Sequence, residues 1–230
     1  MKILTISLVI LTAFTLAARA DFTVIQKIEG KGETRELTLK IKGDKIRLEA
    51  TPQMTMIMDG KTGDTITLMN TQKKIVRISG DKAKAIAELA TKYGGTSAKP
   101  KVVATGKKME VNGYEAEEYV AESKQFKARY WIAPTFPNAE AVLKQLQAIV
   151  PAAWNDLAKG MIDYRDLPGL PIRTEMTIGD DQITSTLVAV KTDLLNDAEF
   201  FPPKDFQEMK IPNVQEMRVE KPEPKASAKP

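Results

Sequence analysis

The chain has 230 residues, with 34 Lys and Arg against 30 Asp and Glu, and neither cysteine nor histidine. The missing cysteine excludes disulfides, thiolate catalysis, cysteine-ligated metal centres and a lipid-bearing N-terminal cysteine. The missing histidine removes the usual neutral-pH acid/base and the commonest transition-metal ligand. Basic and acidic residues are interspersed and aromatics are only 6% of the chain, so no basic face interleaved with stacking rings forms and no nucleic-acid partner is expected.

Met1-Lys2, the apolar run over residues 3–16 and Ala18-Arg19-Ala20 read as a secretory signal peptide over residues 1–20, cleaved between Ala20 and Asp21. The run is short for a membrane span and no second one follows, so a mature chain without a transmembrane segment, periplasmic or secreted, is expected. Losing Lys2 and Arg19 leaves 32 cations against 30 anions. Residues 218–230, rich in Pro, Lys and Ala, predict a disordered tail, either a solvated end or a spacer toward the envelope. No Pro/Gly-rich linker interrupts the rest, which is expected to form one domain over residues 21–217.

From Phe22 apolar residues recur at every second position: Phe22, Val24 and Ile28; Leu37, Leu39 and Ile41; Ile46 and Leu48; Ile66 and Leu68. Gly30-Lys31-Gly32, Gly43-Asp44, Thr51-Pro52, Asp59-Gly60 and Gly63-Asp64 punctuate them, which predicts roughly six antiparallel strands before Ser79. A helix capped by Ser79 or Asp81 follows, its face formed by Ala83, Ile86, Ala87, Ala90 and Tyr93, ending at Gly94-Gly95. Asn112-Gly113 marks a tight hairpin into the strand from Tyr114, and Phe126, Ala128, Tyr130 and Ile132 alternate in the next.

Pro137 suits the first turn of a second helix with a stripe of Val142, Leu143, Leu146, Ile149 and Val150. Pro151 restarts a short helix carrying Trp154, Leu157 and Met161, and a hairpin about Gly179-Asp180-Asp181 closes the series. About ten to twelve hairpin-connected strands must curl to avoid open apolar faces. The expected fold is mainly β (α+β), an incomplete curved antiparallel β-barrel with helical insertions forming a lid.

This order resembles the bacterial lipoprotein-carrier (LolA/LolB-like) superfamily, and within it an exported family of undescribed function. The resemblance rests on Val24-Ile25-Gln26-Lys27-Ile28, the stretch from Ile41 to Glu49, the hairpin from Met58-Asp59-Gly60 to Leu68, Leu170-Pro171-Ile172, and Phe201-Pro202-Pro203 with Phe206. It implies a half-open barrel with helices over its mouth and an apolar interior that relatives use for acyl chains or other hydrophobic ligands. Two features depart from the carriers: a strand, not a lid helix, comes first, and Arg47 lacks the neighbouring Pro and aromatic residues of the carriers' functional arginine.

Met54, Met56 and Met58 share one strand face, as an adaptable pocket wall or as core filling. Trp131 and Trp154 line a cavity or anchor the helices to the sheet. With Leu68 and Leu146 these residues are the ligand-cavity candidates. Asp180-Asp181 reads as a turn. The run from Asp59 to Asp64 lacks the ligand spacing of a calcium loop, and Ser123 and Ser185 lack a histidine partner. No catalytic residue, cofactor or metal is expected. The function expected is a non-enzymatic exported protein binding a lipid, acyl chain or lipoprotein. The alternative is an envelope interaction module with a filled core and an envelope protein as partner, and a histidine-free hydrolase is a third reading.

Overall fold

A computed structural model describes residues 21–94, 99–123, 126–149 and 162–209. Six strands come first: β1 (Phe22–Gly30), β2 (Glu33–Lys42), β3 (Lys45–Thr51), β4 (Met54–Asp59), β5 (Thr65–Met69) and β6 (Lys74–Ile78). Helix α1 (Gly80–Gly94) is followed by β7 (Val103–Val111), β8 (Tyr114–Glu122) and β9 (Phe126–Ile132). Helix α2 (Ala139–Ile149), β10 (Pro171–Ile178), β11 (Asp181–Lys191) and β12 (Gln207–Met209) are the remaining long elements among the described residues. Among the described residues the twelve strands lie in one sheet, ordered β12-β6-β5-β4-β3-β2-β1-β11-β10-β9-β8-β7, which does not close into a barrel.

The turn chemistry sets the hairpins. Asn112 and Gly113 both have positive φ, 52° and 82°, as do Lys31 and Gly32 at 51° and 78°, the backbone that a two-residue hairpin between twisted strands requires. The meander joins its two halves through the antiparallel pairing of β1 with β11. At one edge β7 is interrupted at Gly106, φ 75°, where its register with β8 shifts. A bulge followed by Lys107 and Lys108 blunts an edge against pairing with other chains.

Helix α2 explains why the sheet bends. Its buried Val142, Leu143, Leu146 and Ile149 share one core with Phe22, Val24, Ile41, Ile172 and Leu187, and this core extends from Met58 on β4 to Val111 on β7. Laid flat at about 4.8 Å per strand, the nine strands from β4 to β7 would spread about 38 Å, against about 10 Å for a helix. Only a sheet wrapped about α2 brings both ends to it. Gly60 permits the close seating: a Cβ there would lie 2.6 Å from Ile149 Cγ2 and 2.8 Å from its carbonyl oxygen.

Three details differ from the sequence reading. Pro137 lies in the turn before α2, not in its first turn, because Asn138 takes a left-handed φ of 60° and the helix starts one residue later. In α1 Ser79 caps by accepting from the Lys82 N–H at 3.3 Å, but of the expected apolar face Ala83 is buried while Ile86 is 38% exposed. The sheet is mixed, since β12 pairs parallel with β6. The expected helix with Trp154, the predicted signal peptide and the tail lie outside the described residues.

Candidate functional site

Cross-strand register defines one continuous inner wall. Val24 lies opposite Leu39, Leu39 opposite Leu48, Leu48 opposite Met56, and Met56 opposite Thr67. A second row runs Phe22, Ile41, Ile46, Met58, Thr65. On the other side of β1 the wall continues through Leu187, Ser185, Thr174 and Tyr130. Burial along it is graded. At the strand ends beside α2, Phe22, Ile41, Ile172 and Leu187 are buried. Toward the opposite ends Ile28, Leu37, Leu48, Met56 and Met176 are half-buried, and Met54, Ile178 and Ile183 are exposed. The wall is thus an apolar trough, filled at one end by α2 and less covered at the other.

The structure brings Met58, Trp131 and Leu146 into the core centred on α2. Met56 stands in the trough beside Met58 by register, and Met54, 41% exposed, sits at its far end. The indole N–H of Trp131 is buried and finds no hydrogen-bond partner among the described residues. Leu68 belongs elsewhere. It packs on the outer face of β4–β6 with Ile57, Ile75, Leu195 and Phe200. Trp154 lies outside the described residues.

The outer cluster is covered by a strap, residues 193–209, that the sequence reading did not anticipate. Leu195 and Phe200 plug it into the sheet, and charged groups fasten it: Lys40 donates to Glu199 at 2.5 Å, and Arg47 Nη1 donates to the Glu199 carbonyl at 2.8 Å. Lys42 donates to the Leu195 carbonyl and pairs with Asp197 at 3.1 Å. The Leu195 N–H donates to the Asp21 carboxylate at 3.0 Å. The Lys40 ammonium holds the Glu199 carboxyl below the usual range. Arg47, whose carrier-like role the sequence did not support, serves here as a strap anchor. The signal for the strap was present: Ile57 stands between Met56 and Met58, and Ile75 beside Val76, so these strands are apolar on both faces and require two covers.

A second acid-sensitive contact lies within the turn Tyr164–Asp166. Tyr164 packs both on the core about α2 and on a neighbouring cluster of Ala121, Ala128, Tyr130, Ile132 and Leu167, and burial raises its phenol pKa. Asp163 caps the turn, and hydrogen bonds from the Arg165 side chain hold its carboxyl down to about 2. A carboxyl whose pKa falls on folding stabilises the fold fully above its unfolded value of about 4 and loses that contribution as pH falls through the folded value. Melting temperature is therefore expected to fall between about pH 4 and pH 2, less steeply in Asp163→Asn; an identical slope in that variant would remove this assignment.

Among the described residues no group of three or more acidic side chains is placed to hold a metal ion, and no helix is long and apolar enough to cross a membrane. The carboxylate of Asp59 accepts from the Lys61 and Thr62 N–H groups at 2.9 and 3.2 Å, which makes the run from Asp59 to Asp64 a turn.

The geometry is that of a curled, incompletely closed β-sheet protein with an apolar inner wall. The chain belongs to the family described as a domain of unknown function, DUF4412, whose model matches residues 23–206. No match was found among curated proteins. Solved structures similar to it include PNGF-II in the P21 crystal form, with 12% identity and a TM-score of 0.42 over 83% of this chain. This chain spans 31% of PNGF-II's length. The lipoprotein LppX of Mycobacterium tuberculosis is 9% identical, with a TM-score of 0.39 over 78% of this chain and 90% of its own. A LolA superfamily protein of Nitrosomonas europaea is 9% identical, with a TM-score of 0.30 over 79% of this chain and 89% of its own.

Proposed function

We propose that this is an exported, non-enzymatic protein that binds or carries a hydrophobic ligand (a lipid, an acyl chain or a lipoprotein) along the uncovered part of the inner wall. One observation carries this reading: the apolar rows of the wall continue past α2 as half-buried and exposed side chains, from Leu48 and Met56 to Met54, Ile178 and Ile183. Contiguous apolar surface left in contact with water marks a binding site more often than an idle surface. Flexible thioethers let such a wall follow chains of different shape.

Native mass spectrometry of the full chain should show co-purified lipid, and displacement of the uncharged dye N-phenyl-1-naphthylamine by fatty acid should report on the same wall. Met56→Glu places a charge in the trough and should weaken dye binding about tenfold or more, since burying an unpaired carboxylate is costly. An unchanged affinity, or a wild-type protein free of lipid and indifferent to the dye, would overturn the reading. The second reading, an envelope module acting through its surfaces, is favoured by α2, which fills the covered end with side chains. In that case capture of envelope proteins would survive Met56→Glu while dye binding was absent from the start. Export predicts a mature N-terminus at Asp21, which N-terminal sequencing reads directly.

A further inference from the structure

On the face opposite the trough, the strap and the sheet leave a slot of about 380 Å³. Its floor is Ile57 and Ile66, opposite one another on β4 and β5, and its roof is Phe200, Phe201 and Pro202 of the strap. Lys45 and Arg77 reach its sides, and Asp59 and Asp64 line it as well. The volume is within the range of small-molecule sites, and an apolar body with a few charged groups is their usual composition.

The four charges are not equally available. Asp59 directs one carboxylate oxygen to the Lys61 and Thr62 N–H groups. Asp64 accepts from the Gly80 N–H at 2.9 Å, at the start of α1, where backbone dipoles offset a negative charge. The cations are held more loosely. Lys45 rests its ammonium on the Phe201 ring, 4.1 Å from the centroid. Arg77 Nε stands 3.7 Å from Glu208, well beyond the 2.7–2.9 Å of a charge-assisted hydrogen bond. Phe201 is 54% exposed, an aromatic ring at the lip of the slot with one face available to a guest.

We propose that this slot binds a small apolar acid: an aromatic or aliphatic body between Ile57, Ile66 and the phenylalanines, and a single carboxylate or sulfonate received by Lys45 on one side or Arg77 on the other. The slot lies on the opposite face of the sheet from the trough, although Met58 of β4 borders both, and does not depend on the function assigned to the trough.

Two dyes with the same rings test it on the full chain: 1-anilinonaphthalene-8-sulfonate, which carries an anion, and N-phenyl-1-naphthylamine, which does not. Lys45→Gln with Arg77→Gln should raise the dissociation constant of the sulfonate about tenfold or more and leave the uncharged dye unchanged. Phe201→Ala should weaken the sulfonate too, whereas Met56→Glu should leave its slot-bound component in place. Arg77 is exposed and Lys45, half-buried, rests its head on an exposed ring, so the double variant should keep its melting temperature to within a few degrees. An unchanged sulfonate affinity in the double variant, or a parallel loss for both dyes, would overturn the proposal. Loss of the uncharged dye in Met56→Glu concerns the trough alone.

Discussion

Leu146→Ala is expected to lower stability by about 2–5 kcal/mol, the cost of removing a buried leucine side chain and leaving a partly unfilled space. Leu146 is 6% exposed, on the α2 stripe with Val142 and Ile149, which are fully buried. In a chain of this size each kcal/mol moves the melting temperature by about 2–4 °C, so a fall of roughly 4–20 °C is expected in a thermal melt. Met56→Ala is the contrast, because Met56 is half-buried beyond the helix and gives up little packing. A loss below about 1 kcal/mol for Leu146→Ala would mean that α2 does not hold the bent sheet together. Losses of equal size at both positions would mean that the trough is packed from end to end.

The larger effect is expected from the strap. A chain ending at Thr192 loses Leu195 and Phe200 from the outer cluster and strips Lys40, Lys42 and Arg47 of their contacts with Glu199, Asp197 and the Leu195 carbonyl. Loss of a buried phenylalanine alone costs about 3–5 kcal/mol. The truncation also uncovers Ile57, Leu68 and Ile75 on a sheet edge, a surface prone to self-association. Such a chain should aggregate or run as oligomers in size-exclusion chromatography, whereas one ending at Met209, which keeps the strap, should not. A soluble monomer ending at Thr192 with an unaltered melt would show that the strap is an ornament.

What the sequence disclosed follows from the range of the forces involved. Turn chemistry is local, so Asn112-Gly113 and Gly30-Lys31-Gly32 place their hairpins without knowledge of the fold. The α2 stripe is a local periodicity and is equally plain. Alternation in β4 and β5 separates Met56 and Met58 from Ile57, and Thr67 from Ile66 and Leu68, but it does not say which set faces which cover. The sequence pattern therefore leaves Leu68 beside the methionines, although it stands on the opposite face. β12 was invisible because three exposed residues, Gln207–Met209, form a strand only by borrowing the edge of β6. The slot depends on Phe201 of the strap meeting Lys45 across more than half the chain, a meeting that no local pattern announces.

The strap also orders events in time. The outer apolar strip is complete once β6 has been made, yet the residues that shield it are more than a hundred positions later. A chain made from its N-terminus carries that strip naked until the strap arrives, and closing such a long loop is slow compared with making neighbouring hairpins. During that interval the exposed strip is a surface of the kind that chaperones shield.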